Sequence, residues 1–166
     1  MTQVTSDRRA TVTLPSDEEI LITRDFDAPR HLVYRAWTTP ELVERWWAGR
    51  RGRTTSVEMD LRVGGRWRFV LVANEGMEVA FNGEYREIVP EERIVYTEIY
   101  EGAEAPPGVE PTVNVAMFTE VGGGTRLELL SQCHTKELRD MIVASGFEGG
   151  MQEQMEIIEE LARSMR

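Results

Sequence analysis

The sequence predicts an α+β protein in which a strongly curved, seven-stranded antiparallel sheet wraps around a long C-terminal helix. Three observations carry that reading. A strand-like segment at 20–26 is followed at once by two short amphipathic helices, six segments of two-residue period then succeed one another across glycine and proline turns, and the chain closes on a helical stripe.

Residues 1–17 are polar, lack periodicity and end in Leu14-Pro15-Ser16-Asp17, so they read as a flexible arm, leaving 18–166 as one domain. The first strand is rich in β-branched and apolar residues, and Asp27-Ala28-Pro29 stops it, with Asp27 placed to cap the helix that follows. That helix, 28–38, carries Leu32, Val33, Ala36 and Trp37 on one side. A second begins at Thr39-Pro40-Glu41, where proline suits the first helical position and glutamate the positive end of the dipole. It repeats the spacing with Leu42, Val43, Trp46 and Trp47 before Ala48-Gly49 ends it. The adjacent tryptophans thus end two neighbouring columns of a single apolar stripe. One ring is expected to anchor the helix to the sheet and the other to border a cavity mouth.

From Thr54 the period is two. Val57, Met59 and Leu61 alternate with Ser56, Glu58 and Asp60; Gly64-Gly65 forms a tight turn; Trp67, Phe69 and Leu71 return against Arg66 and Arg68. Asn74-Glu75-Gly76 turns into Met77, Val79, Phe81 and Tyr85, and after a turn at 89–92 a further strand covers 93–100. An acidic loop rich in proline occupies 101–111, and strands at 112–119 and 125–131 are joined by Gly122-Gly123-Gly124. Residues 135–144 read as a helix that loosens at Gly146 and Gly149-Gly150. From Met151 a longer helix resumes, its stripe formed by Met151, Met155, Ile158, Ala162 and Met165.

Composition narrows the function classes. The 166 residues hold 29 acidic against 19 basic side chains, a net charge of -10, which disfavours phosphate backbones and anionic membranes as partners. No apolar run approaches the roughly 20 residues that span a bilayer, and the N-terminus has no signal-peptide core, so no membrane insertion and a cytoplasmic location are expected. Cys133 is the single cysteine, and with His31 and His134 it offers no recognisable ligand spacing, so neither a metal nor a cofactor is expected.

Catalytic machinery is sparse. Cys133 and His134 are neighbours on a strand end and should diverge, and the glycine pairs sit at hairpin turns, where they cradle no phosphate. Glu98 is the carboxylate that matters: it shares a face with Ile94, Tyr96 and Tyr100, although Val95 and Ile99 leave the parity ambiguous. Pointing inward beside Tyr96, it would be a buried carboxyl with a raised pKa and an acid or base candidate. Methionines and aromatics on the expected walls suit a pocket of adjustable shape. Its lining is expected from Trp37, Trp46 and Trp47 on the helices, from Met59, Trp67, Phe69, Met77, Val79 and Phe81 on the strands, and from Met151 and Met155 on the last helix. The same residues would equally serve a solid core. Arg50 and Arg51, beside the tryptophans, are candidates for an anion contact at the mouth.

Seven motifs in order resemble the SRPBCC superfamily, the START-like or Bet v-like helix-grip proteins. Within it the chain is similar to the C-terminal-like domain of heat-shock-protein ATPase activator homologues. They are Phe26-Asp27-Ala28-Pro29; Ala36-Trp37 with Pro40-Glu41; Trp46-Trp47; the stretch DLRVGGRWR at 60–68; GEYREIVP at 83–90 with Arg93-Ile94-Val95; GGGTRL at 122–127; and GFEGG at 146–150. The resemblance implies a deep hydrophobic cavity between sheet and C-terminal helix, used across the superfamily for lipids, sterols and polyketides. Non-enzymatic binding of an apolar or amphipathic small molecule is the expectation. The alternatives are a cyclase, dehydratase or hydrolase acting in that cavity and a stand-alone chaperone-interaction module. A chaperone partner is expected less, because no counterpart of the activators' additional N-terminal domain is present; a homodimer is compatible with the sequence.

Overall fold

Alternation of apolar and polar residues makes the strands, and turn chemistry sets where each one stops. The structure, a computed structural model, describes residues 9–102 and 108–166. The start of the expected arm, 1–8, and the centre of the acidic loop, 103–107, lie outside the described residues. The chain runs β1 (Thr11–Thr13), β2 (Glu19–Phe26), α1 (Arg30–Thr38), α2 (Pro40–Trp46), β3 (Gly52–Met59), β4 (Arg66–Ala73), β5 (Glu78–Val89), β6 (Arg93–Tyr100), β7 (Thr112–Val121), β8 (Gly124–Gln132), α3 (Lys136–Ala144) and α4 (Phe147–Ser164). Every ladder is antiparallel, and the sheet order is β1-β2-β8-β7-β6-β5-β4-β3. This is the helix-grip architecture, with α4 lying across one face.

The strand count is eight, one more than the sequence suggests. Thr11–Thr13 pairs with β2, Thr11 opposite Thr23, inside the stretch expected to be a loose arm. Just before it, Gln152 of α4 holds both backbone groups of the buried Ala10: the Ala10 N–H donates to Oε1 at 2.9 Å and its carbonyl accepts from Nε2 at 2.9 Å. A strand held by backbone bonds leaves no mark in side-chain periodicity, so it was invisible to pattern reading.

The last helix also begins earlier than expected, at Phe147. Gly146, at φ 78°, makes the break from α3, while Gly149 and Gly150 are helical. Their lack of side chains serves a close approach, since a Cβ at Gly149 would collide with the Arg51 guanidinium. Two expected caps differ as well. The N-cap of α1 is Pro29 and neither it nor Thr39 makes a side-chain cap bond, whereas Asp27 meets Arg166 at 3.4 Å and Arg163 at 4.0 Å near the C-terminus.

Register carries one column per strand onto the face beneath α4. Ile20, Ile22, Arg24 and Phe26 of β2 stand opposite Ser131, Leu129, Leu127 and Thr125 of β8, and these in turn opposite Asn114, Ala116, Phe118 and Glu120 of β7. Met151, Met155, Ile158, Leu161 and Ala162 of α4 close over this surface and are buried. Arg24 is the exception in its column. It is buried against Glu159 of α4, Nη1 to Oε1 at 3.1 Å, with its guanidinium 4.8 Å from the Phe26 ring centroid. Among the described residues no helix is long and apolar enough to cross a membrane.

Candidate functional site

On the sheet face covered by the helices, the strands β4 to β6 carry rings. Trp67 of β4 packs on Phe69, centroids 4.8 Å apart, and edge-on to Tyr96 of β6 at 5.8 Å. Its indole N–H donates to the Thr97 carbonyl at 3.0 Å by passing over Gly83 of β5, where a Cβ would strike both groups. Trp47 meets Phe69 at 5.5 Å and Phe81 at 5.8 Å, both edge-on, and Phe81 lies 5.2 Å from Tyr100. Trp37 is stacked on Trp46 at 5.8 Å and reaches Tyr96 and Phe118 with its edges. Trp37, Trp47, Phe69, Phe81 and Tyr96 are half-buried, whereas Trp46, Trp67, Met151 and Met155 are buried. The former rings keep part of their surface accessible.

The adjacent tryptophans divide their work. Trp46 ties α2 to α1, its Nε1 donating to the Ala36 carbonyl at 2.9 Å. The ring on the sheet is Trp47. Trp37 Nε1 is buried with no hydrogen-bond partner among the described residues.

A polar line crosses this face. Asn114 Nδ2 donates to Glu98 Oε1 at 2.6 Å, and Ser131 Oγ donates to Asn114 Oδ1 at 2.6 Å. Register resolves the parity left open by sequence: Tyr96 pairs with Asn114 and Glu98 with Thr112, so both face the way Asn114 does. Burial raises the Glu98 pKa, and the Asn114 bond only partly opposes it. Burial also pushes the Tyr96 phenol well up, assisted by the Glu98 charge. Cys133, fully buried, is raised by burial and then by Glu98, with Arg139 acting against them. Asn114 and Ser131 were missed by sequence reading. The available signal was a polar residue inside an apolar column, Asn114 with Ala116 and Phe118, Ser131 with Leu127 and Leu129.

A carboxyl whose folded-state pKa is raised binds more protons folded than unfolded, so its cost appears as pH climbs above the ordinary value and is complete above the raised one. Glu98→Gln keeps an acceptor for Asn114 and removes that cost. The variant is expected to melt a few degrees above the native chain at pH 8 and to match it near pH 4. Equal melting temperatures at both pH values would contradict the assignment.

Toward the end of the β4–β5 hairpin lies an open groove of about 450 Å³ lined by Arg51, Leu71, Ala73, Asn74, Glu75, Met77 and Val79. Met77 is 56% exposed there, and Val79 is half-buried in the groove wall. Met59, half-buried, pairs with Trp67 from the edge strand β3. The arginines expected to meet an anion meet carboxylates of this chain instead: Arg50 Nη1 bonds Glu156 at 3.0 Å and Arg51 Nε bonds Glu153 at 3.3 Å. An acidic head group would compete with both. Among the described residues no cluster of three histidine, cysteine or carboxylate side chains is placed to hold a metal.

A family model described as Activator of Hsp90 ATPase homolog 1-like protein matches residues 27–163. No curated protein sequence matches. Among solved structures, a protein from Rhodobacter sphaeroides is similar at a TM-score of 0.85 and 24% identity, covering 94% of this chain and 99% of its own. A protein from Mycobacterium smegmatis follows at 0.80 and 24%, covering 92% and 96%. One from Chromobacterium violaceum gives 0.73 and 26%, covering 87% and 96%. These likenesses are likenesses of fold.

Proposed function

The chain belongs to the Activator of Hsp90 ATPase homolog 1-like family, and from that premise we propose that it binds a hydrophobic or amphipathic small molecule between the sheet and α4, without chemical turnover. The observation that carries this reading is the file of half-buried rings in mutual contact, Trp37 and Trp47 from the helices against Phe69, Phe81 and Tyr96 of the strands. A packed core ordinarily seals such rings, and rings left with accessible surface suit a partner that supplies the missing contacts. Arg50 and Arg51 remain in this proposal as rim residues, engaged by Glu156 and Glu153 until a ligand displaces them.

Native mass spectrometry of freshly purified protein, with a thermal-shift panel of fatty acids, sterols and aromatic polyketides, tests the proposal. A bound apolar compound that raises the melting temperature by several degrees is expected, since at a hundredfold excess over Kd a ligand contributes about 2.7 kcal/mol. No co-purified ligand and no shift across the panel would sink it.

Glu98 and Tyr96 favour a second reading, an enzyme acting on the bound molecule, because a carboxyl of raised pKa beside a phenol is an acid–base pair. Unchanged turnover of an identified substrate by Glu98→Gln and Tyr96→Phe would remove it. The family's description favours a third, contact with the chaperone; ATP turnover of Hsp90 measured with and without the chain decides it.

A further inference from the structure

We infer that the ligand is an apolar amine, bound as its cation with Glu98 as counter-ion; this rests on the proposed ligand site between sheet and α4. Three features of the face point to it.

The first is charge pairing. Arg24 on the same face is matched by Glu159, and at the rim Arg50 and Arg51 are matched by Glu156 and Glu153. Glu98 has only neutral company: Asn114 donates to Oε1, and no lysine or arginine among the described residues contributes to its titration. Among the described residues Oε2 accepts no hydrogen bond, and it is not one of the sealed polar atoms. One carboxylate oxygen is therefore positioned by the protein and the other is left for something else.

The second is the company of rings. Tyr96 and Tyr100 stand two residues either side of Glu98 on its strand, and Gly83 lets the Trp67 indole cross to Thr97, the residue before Glu98. Ring faces are electron-rich and attract an ammonium, and the attraction grows when water is excluded. An aliphatic wall would offer only apolar contact.

The third is what the site disfavours. An anionic ligand would meet Glu98 in a chain already at net charge -10. A neutral hydrocarbon ligand would cover half-buried Glu98 and exclude water from Oε2 without offering that oxygen a donor, which is costly for a carboxylate. An ammonium supplies that donor together with the opposite charge.

Calorimetric titration of the full chain at pH 7 with three matched probes, naphthylethylamine, naphthylethanol and naphthylacetic acid, tests this. The amine is expected to bind at least about tenfold tighter than the alcohol, with the acid weakest, and Glu98→Gln is expected to bring amine and alcohol level. An alcohol equal to the amine, or an acid that binds best, overturns the amine inference and leaves the ligand site standing. A preference for the amine that survives in Glu98→Gln overturns Glu98 as its counter-ion. Failure of all three probes, together with failure of the apolar panel, overturns the site and this inference with it. The native-chain comparison stands alone should the variant misfold.

Discussion

Glu159→Ala is expected to destabilise the fold by roughly 3–5 kcal/mol, because it strands the Arg24 guanidinium in the interior without its counter-charge. The two side chains are 1% and 7% exposed, so water cannot take over the lost partner. Glu159 Oε1 also accepts the Asp27 backbone N–H at 2.9 Å, which ties α4 to the turn before α1, and the substitution orphans that donor too. Among the described residues Arg24 Nη1 then retains only the Asp25 carbonyl, and Nε has no hydrogen-bond partner even in the native chain. Urea denaturation of the single variant and of the double variant Arg24→Met with Glu159→Leu measures this. The double variant should recover most of the loss, since a well-packed apolar pair replaces a buried ion pair at little cost. A single variant within about 1 kcal/mol of native, the range of an exposed pair, would show that the bridge is not sealed as described.

Trp67→Ala is expected to cost roughly 3–5 kcal/mol, the full penalty for emptying a packed aromatic site. Trp67 is 5% exposed, touches Phe69 and Tyr96, and its N–H is bonded to Thr97. That leaves it no hollow to face. Trp67→Phe separates the two parts of the loss, keeping most of the apolar area while forfeiting a hydrogen bond worth about 1 kcal/mol. A cost for the alanine variant below about 2 kcal/mol would mean that the ring lines open space. The contrast with half-buried Trp47 is informative, because truncation there removes fewer packed contacts and should show chiefly in ligand affinity.

Much of this architecture is legible in the sequence, and the reasons it stops being legible are specific. Period-two runs bounded by Gly64-Gly65, Asn74-Glu75-Gly76 and Gly122-Gly123-Gly124 mark β3 to β8 because turns need residues of particular backbone freedom, and those residues are visible. The stripe through Met151, Met155, Ile158 and Ala162 marks α4 for the same kind of reason. By contrast β1 is held by backbone pairing and by Gln152, 142 residues distant from Ala10, and no local pattern encodes so remote a clamp. Glu98 was ambiguous because both columns of β6 carry apolar residues, and only pairing with β7 chooses between them. Arg24 and Glu159 drew no attention in the sequence, and their meaning appears only when strand and helix meet.

The sheet order also has a consequence for how the chain is made. β2 lies between β1 and β8, with Glu19 opposite Gln132 and Phe26 opposite Thr125. An early strand thus waits for a late one. While the polypeptide is being synthesised, the hairpins from β3 to β7 can form in turn from near neighbours, but β2 has no inner partner until β8 has emerged, and the face stays uncovered until α4 follows. Closing so long a loop is entropically slow. During that interval the apolar column Ile20, Ile22 and Phe26 is open to other nascent chains, the kind of transiently exposed surface through which folding chains aggregate.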